Sequence, residues 1–402
     1  MFEEKKMSLE TMDKEYVLHT YARNYVNFKH GINATLFDEN GKDYIDLTSG
    51  IGVVSVGHGN QRLADAISEQ ARHVIHTSNL YMIEPQAKLA KKINELTGFD
   101  VGVFFGNSGA EANEGAIKLA RKYGEKKFAN KKYKVLTLEH SFHGRTITTV
   151  KATGQASFHK SAFAPYPEGF SYTKAIADLY ESIDDETVAV MLELVQGEGG
   201  VKAFPKKDIQ DLAQFLKEKE ILLIIDEVQS GVYRSGEFLA TSLYEIEPDI
   251  ITLAKGLAGG VPIGAVVTKH KDIFEAGDHG STFGGNFLST RAGLEVLEIL
   301  ESYKQSGMLD EALIYFESKL KQLCAAYPTL FESVEGLGLM RGIRCINAEV
   351  LASVIKQAFE EGVLVLKAGK NTLRLLPPLT ISKDEIDEGI RRLERACKVV
   401  VG

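Results

Sequence analysis

Cysteine is scarce in this chain: Cys324, Cys345 and Cys397 are the only three in 402 residues. An odd count with no CxxC spacing shows no disulfide framework and no zinc site, and it suits a reducing cytoplasm. Proline is also sparse, at 9 residues, and the 37 glycines follow no period. Collagen-like and low-complexity architectures are therefore excluded. Positive charge is not in excess. Lys plus Arg is 47 against 55 for Asp plus Glu, a formal net charge of −8, which argues against the basic surface of a nucleic-acid-binding protein. Long hydrophobic runs are missing too. Stretches such as Ile221 to Ile225 are far too short to span a bilayer. The opening Met1-Phe2-Glu3-Glu4-Lys5-Lys6 has no apolar leader stretch. The expectation is a cytoplasmic protein with no membrane partner.

What is present is an ordinary globular composition, 44% hydrophobic and 25% charged, rich enough in apolar residues to bury a core. At about 150 residues per domain the length suggests two or three domains. The first segment reads as a hairpin. Thr35 to Asp38 and Tyr44 to Leu47 flank Glu39-Asn40-Gly41-Lys42, and Asn-Gly between apolar runs is a strong turn signal. From about residue 60 the pattern alternates. Leu63, Ile67, Ala71 and Val74 recur at helical spacing, and Ala110 to Tyr123 and Lys206 to Lys217 read as helices. Val101 to Phe105, Val135 to Leu138, Val188 to Leu194, Leu222 to Ile225 and Ile250 to Leu253 read as buried strands. Strands alternating with helices predict an α/β protein with a mostly parallel central sheet covered by helices.

After about residue 290 the register changes. Helical patterns run over Arg291 to Tyr303 and Leu309 to Tyr327, then a short β region includes Val363 to Leu366 and Leu373 to Leu375. A final helix opens on the capping box Ser382-x-x-Glu385. The expected division is a large domain over 51–290 and a smaller α+β domain built from both chain ends, 1–50 and 291–402.

In an open parallel sheet, ligands bind outside the carboxyl ends of the strands. Three such ends stand out. Gly106-Asn107-Ser108-Gly109-Ala110 leads from a strand directly into a helix, whose free N–H groups and positive dipole end suit a phosphate. Read alone, it is equally an ordinary capped turn. Asp226 ends a run of four aliphatic residues. A carboxylate there needs a cation, a metal or a protonated ring nitrogen, or else sits in a structural salt bridge. Lys255 follows another buried strand. Desolvation would lower its pKa and free a nucleophile for Schiff-base chemistry, whereas a single lysine is commonly just solvated. Together, a helix-start cup, a strand-end acid and a later strand-end lysine are what a pyridoxal phosphate site requires.

With these residues in view, the chain resembles the class III, ornithine/acetylornithine family of pyridoxal-phosphate-dependent aminotransferases, from about Tyr25 to Leu393. Matching segments are Gly41-Lys42-Asp43-Tyr44-Ile45-Asp46, His76-Thr77-Ser78-Asn79, Asn107 to Asn113, Ser141-Phe142-His143-Gly144-Arg145-Thr146 and Gly280 to Asn286. The resemblance implies fold type I and a set of roles. Ser108, Gly109 and Ala110 would hold the cofactor phosphate. Phe142 would stack on the ring, with Val228 on its other face. Asp226 would pair with the ring nitrogen, Gln229 would approach the ring hydroxyl, and Lys255 would form the Schiff base. Thr282 would reach the phosphate of a neighbouring subunit's cofactor, which implies a homodimer with sites at the interface. Arg374, flanked by Leu373 and Leu375, would bind an α-carboxylate through its planar fork. Glu198 would pair with it when that carboxylate is absent. Arg145 and Ser281 would hold the carboxylate end of an acylated donor.

The implied activity is transfer of the δ-amino group of N2-acetylornithine to 2-oxoglutarate, in arginine biosynthesis, with succinyldiaminopimelate as a second possible donor. Ile51 falls where ornithine-specific members tend to carry tyrosine, and an apolar residue there fits an acylated donor. One departure is Glu193-Leu194, where the family usually has Glu-Pro. Alternative readings are an aminotransferase for ornithine, succinylornithine or 4-aminobutyrate, an aminomutase using the same cofactor, or a non-catalytic oligomeric scaffold. No GxGxxG follows an early strand, which disfavours a nicotinamide-dependent enzyme. His58, His143 and Met340-Arg341-Gly342 are read as structural. The Glu3 to Lys6 and Lys131-Lys132 clusters are read as solvated faces. No metal site is expected.

Overall fold

The Asn-Gly turn forms where its chemistry requires. Gly41 takes φ 82°, and Thr35–Asp38 pairs antiparallel with Asp43–Asp46. The Asp38 carboxylate accepts the backbone N–H of Asn40 and Lys42, so the turn carries its own bonds. The computed structural model describes residues 7–402, and the Glu3 to Lys6 cluster lies outside them.

Seven strands make the central sheet, in the order 102–106, 264–268, 250–253, 222–226, 187–192, 134–138 and 170–173. The six strands other than 264–268 run parallel to one another. Gly264–Thr268 is antiparallel to both its neighbours. That strand and the edge strand Phe170–Thr173 were not expected from the sequence. The 264–268 segment is a short Gly-Ala-Val-Val-Thr run just past glycine-rich sequence, which masks its strand character. The five aliphatic runs that were read as strands all lie in this sheet, and the Leu222–Asp226 strand is buried throughout. Helices Gly109–Phe128 and Lys206–Glu218 pack on the sheet through the apolar clusters around Ala116 and Leu212 respectively.

Besides a two-stranded hairpin, 195–196 with 202–203, the remaining strands form two four-stranded sheets. One is antiparallel and orders 331–337, 340–345, 372–375 and 366–368. Met340-Arg341-Gly342 is the start of a strand, and the Arg341 guanidinium bonds the Gly336 and Gly338 carbonyls and Glu317. The other small sheet joins the chain ends: Val363–Leu364 runs parallel to Asp43–Asp46, Val363 opposite Ile45. The Ser382 capping box is present on helix Lys383–Val401. Its Glu385 reaches further. One carboxylate oxygen accepts the Ala34 N–H at 2.8 Å, and the other accepts the Asn33 amide at 2.6 Å. Arg392 of the same helix pairs with Asp43. His58 Nε2 donates to the Asp46 carboxylate at 2.7 Å, in keeping with its structural reading. Among the described residues, no helix is long and apolar enough to cross a membrane.

Candidate active site

The carboxyl ends of the parallel strands converge on one cavity of about 340 Å³. Gly106 leads to Ser108, Leu138 leads to Phe142, Leu192 to Glu193, and Leu253 to Lys255, while Asp226 ends its own strand. This is the position that sheet topology assigns to a ligand.

One wall is the start of the twenty-residue helix Gly109–Phe128, capped by Ser108, whose hydroxyl accepts the Glu111 N–H. Two glycines bring the chain close here. A Cβ on Gly109 would lie 2.7 Å from Val228 Cγ1, and a Cβ on Gly264 would lie 2.1 Å from the Ser108 carbonyl oxygen. The cup therefore presents backbone N–H groups at the positive end of a long helix, a natural anion site.

Opposite lies Asp226, 5% exposed. One oxygen accepts the Asn113 amide and meets His143 Nδ1, both at 2.8 Å, and the other accepts the Val228 N–H at 3.0 Å. Thr252 donates to the Asn113 carbonyl oxygen at 2.7 Å, fixing that amide's orientation. His143, read as structural, is one of the groups that hold this carboxylate. Its ring is buried against the carboxylate, and its Nε2 has no partner. Asn113 and Thr252 were also missed. Asn113 lies one helical turn past Ala110, on the face that returns to the cup, and that spacing was the available signal.

Lys255 opens a short 3₁₀ turn with φ 44°, a left-handed conformation that is strained for a side-chain-bearing residue. Burial, reinforced by the Arg374 charge, pulls its amine down from 10.5 to about 8, against the opposing pull of Glu198, Asp226 and Glu193. Glu193 lines the same cavity and accepts the Phe142 N–H at 3.0 Å. Its burial, and Asp226 nearby, push its carboxyl up to about 7 although His143 and Lys255 oppose this. Two groups with pKa values moved toward neutrality in one cavity suit a site for proton transfer.

Arg374 and Glu198 do not line the cavity itself. Arg374 is buried behind Gln229, which does, and its Nη1 bonds Glu198 at 2.5 Å and Gln229 Oε1 at 3.3 Å. Its Nε has no partner. The fork is thus closed on Glu198 and keeps spare donors for a carboxylate. The loop bearing Glu198 is the tip of a small hairpin, Val195–Gln196 with Lys202–Ala203. Leu194, which stands in the place of the family's usual proline, is fully buried in the core below it.

Arg145 lies at the cavity rim with an exposed side chain, near Phe142. Ile51 is 43% exposed and takes φ 69° in a left-handed turn, two residues before Val53, which lines the cavity. Ser281 and Thr282 do not line the cavity, although Ser281 bonds Asn107, which does. Ser281 accepts the Asn107 amide at 3.0 Å, and Thr282 is exposed. Among the described residues there is no cluster of metal-ligating side chains.

Comparison with known proteins gives a consistent picture. The family model for class-III aminotransferases matches residues 17–397. The chain is 61% identical to an acetylornithine aminotransferase of Wolinella succinogenes, over 97% of this chain and 99% of that one. It is 43% identical to an acetylornithine aminotransferase of Caldanaerobacter subterraneus, over 96% and 98%. Among solved structures, it superposes on ornithine aminotransferase from Toxoplasma gondii with a TM-score of 0.92 at 29% identity, covering 98% and 96% of the two chains. N-acetylornithine aminotransferase from Stenotrophomonas maltophilia gives 0.82 at 30% identity, covering 98% and 99%.

Proposed function

The chain belongs to the class-III aminotransferases, and on that premise we propose that it transfers the δ-amino group of N2-acetyl-L-ornithine to 2-oxoglutarate. The products are N-acetyl-L-glutamate 5-semialdehyde and glutamate, a step of arginine biosynthesis, and succinyldiaminopimelate is proposed as a second donor. The geometric observation behind this reading is a buried carboxylate and a lysine of lowered pKa facing one cavity, across from a helix N-terminus. The choice of donor is supported by the acetylornithine-named relative at 61% identity over nearly the whole chain.

The residues fit pyridoxal 5'-phosphate, the cofactor of this family. Ser108, Gly109 and Ala110 would hold its phosphate at the helix start. Phe142 and Val228 would contact its ring, Gln229 its hydroxyl, and Asp226 its ring nitrogen. The partnerless Nε2 of buried His143 belongs to the same group, because it completes a polar floor that ends on Asp226. When bound, the cofactor supplies an electron sink for the carbon that carries the amino group.

The protein's own residues do the rest. Lys255 is the residue that would hold the cofactor, and its amine, pulled down to about 8 by burial, would take the proton from the donor's δ-carbon. Asp226 stays fixed by three hydrogen bonds, so it can hold a protonated nitrogen without reorganising. Arg145 and Ser281 would take the donor's carboxylate end. With an ω-amino donor, Glu198 keeps Arg374 closed. With 2-oxoglutarate, Glu198 leaves and the Arg374 fork binds the α-carboxylate.

The assembly proposed is a homodimer in the cytoplasm, with Thr282 reaching the phosphate in a second copy's site. Exposed Leu80, Tyr81 and Met82, at 87%, 69% and 98%, and Phe283 at 62% support this, being large apolar residues beside the Thr282 loop. The proposed domains are 51–290, and 1–50 with 291–402, in keeping with the pairing of Val363 to Ile45. The test is glutamate formation from N2-acetylornithine and 2-oxoglutarate by cofactor-loaded protein. Lys255→Ala should abolish both turnover and the visible absorbance of bound cofactor. Sustained turnover in that variant would overturn the assignment.

A further inference from the structure

Arg145 presents an unusual arrangement for an exposed arginine at a cavity rim. Its guanidinium sits 4.2 Å over the ring centre of Phe158 and 5.5 Å from that of Phe142. Among the described residues it takes part in no ion pair. An arginine without a carboxylate partner ordinarily samples many rotamers, and ordering it costs entropy. Here ring faces, rather than an anion, hold the cation, which leaves its N–H fork unspent.

Phe158 is half-buried, and the turn that carries it is anchored. Its ring edge meets Phe142 at 5.7 Å with an interplanar angle of 69°. It closes the short 3₁₀ turn Ala156–Phe158. The Gln155 amide donates to the Ser141 carbonyl at 3.1 Å, and the His159 ring meets the Val150 and Thr153 carbonyls at 3.0 and 2.8 Å. The turn is thereby fixed to the loop that carries Phe142 and Arg145 and to the helix that follows it. No sequence motif pointed to Phe158, which lies thirteen residues beyond Arg145.

We infer that Phe158 is a positioning residue for donor choice: its ring face holds the Arg145 guanidinium at the rim, pre-oriented for the carboxylate of an acylated amino-acid donor. The inference rests on the proposed role of Arg145 as that carboxylate's partner. Because Phe142 is the proposed ring-stacking residue, the Phe142–Phe158–Arg145 contacts would also tie the donor's carboxylate partner to the cofactor's. A donor of the right length then brings its terminal amine to the reacting position.

The test uses cofactor-loaded enzyme and two donors, N2-acetylornithine and N-acetylputrescine, the same molecule without its carboxylate. The readout is the ratio of KM for the first to KM for the second, with kcat recorded separately. Phe158→Ala should raise this ratio about three- to tenfold, the range expected for a partly exposed cation–ring contact. Phe158→Leu, which keeps apolar bulk but not the ring face, should raise it similarly. Phe158→Tyr should restore the ratio to within about twofold of the unaltered enzyme, since the ring face is kept. Calorimetric binding of N-acetylnorvaline, the donor without its reacting amine, should weaken by the same factor in Phe158→Ala. Arg145→Ala is the control and should raise the ratio most. If Arg145→Ala raises it but Phe158→Ala does not, the inference is overturned and the Arg145 assignment stands. If Phe158→Leu behaves like Phe158→Tyr, packing alone explains the site and the inference also fails. If Arg145→Ala leaves the ratio unchanged, both the inference and the assignment fall.

Discussion

Replacing Lys255 by methionine should stabilise the cofactor-free protein while ending its turnover. The reasoning starts from the desolvated amine. Its fall from 10.5 to about 8, caused mainly by burial and next by the Arg374 charge, measures how poorly the folded chain tolerates the ammonium. At ~1.4 kcal/mol per pH unit the difference is worth about 3 kcal/mol, and partial exposure of the residue trims it to about 2 kcal/mol. Below about pH 8 both folded and unfolded chains carry the proton, so this penalty is present in full. Between about pH 8 and 10.5 the unfolded chain holds more protons than the folded one, so stability rises with pH and the penalty disappears. Methionine has similar length and no charge. Its advantage should therefore be about 2 kcal/mol near pH 7 and should shrink steadily above pH 8. Urea unfolding of both cofactor-free proteins at several pH values measures this directly. Equal stability near pH 7, or an advantage that grows with pH, would refute the reasoning. A site that stores this penalty until a carbonyl compound reacts with its lysine shows the common exchange of stability for function.

Two further perturbations probe the rest of the account. Glu198→Gln removes the charge that closes Arg374 at 2.5 Å, so KM for 2-oxoglutarate should fall about tenfold, the scale of one charge-assisted hydrogen bond. An unchanged or raised KM, from steady-state kinetics at saturating donor, would show that the pair does not gate the carboxylate. Glu385→Ala should cost about 2–4 kcal/mol in urea unfolding, because one carboxylate both caps the last helix and bonds Asn33 and Ala34. A loss below about 0.5 kcal/mol, ordinary for a surface substitution, would mean that the two chain ends are not held together there.

Features that depend on neighbours in sequence were legible before the structure. Asn40-Gly41 fixed a turn through glycine's access to positive φ. Leu222 to Ile225 running into Asp226, and Ile250 to Leu253 running toward Lys255, marked strand ends at which a buried charge needs a purpose. The Ser382-x-x-Glu385 box marked a helix start. Features that depend on tertiary contact were not legible. His143 lies 83 residues from Asp226 and Asn113 lies 113 from it, and nothing local distinguishes that histidine from one in an ordinary turn. The strand Gly264–Thr268 hides because its sheet partners, not its own pattern, make it a strand. Ser281 and Thr282 do not line the cavity of their own chain, so their assigned roles draw on family resemblance rather than on geometry.

The most direct test of the central claim is a comparison of kcat/KM for amino donors, with 2-oxoglutarate as the acceptor and cofactor-loaded protein. The donors are N2-acetylornithine, ornithine, 4-aminobutyrate, succinylornithine and succinyldiaminopimelate. The account predicts that N2-acetylornithine exceeds free ornithine and 4-aminobutyrate by at least about tenfold, the discrimination that one or two pocket contacts provide. Preference for free ornithine or 4-aminobutyrate would contradict the donor assignment while leaving the cofactor site intact. Absence of turnover with every donor would contradict the enzyme itself.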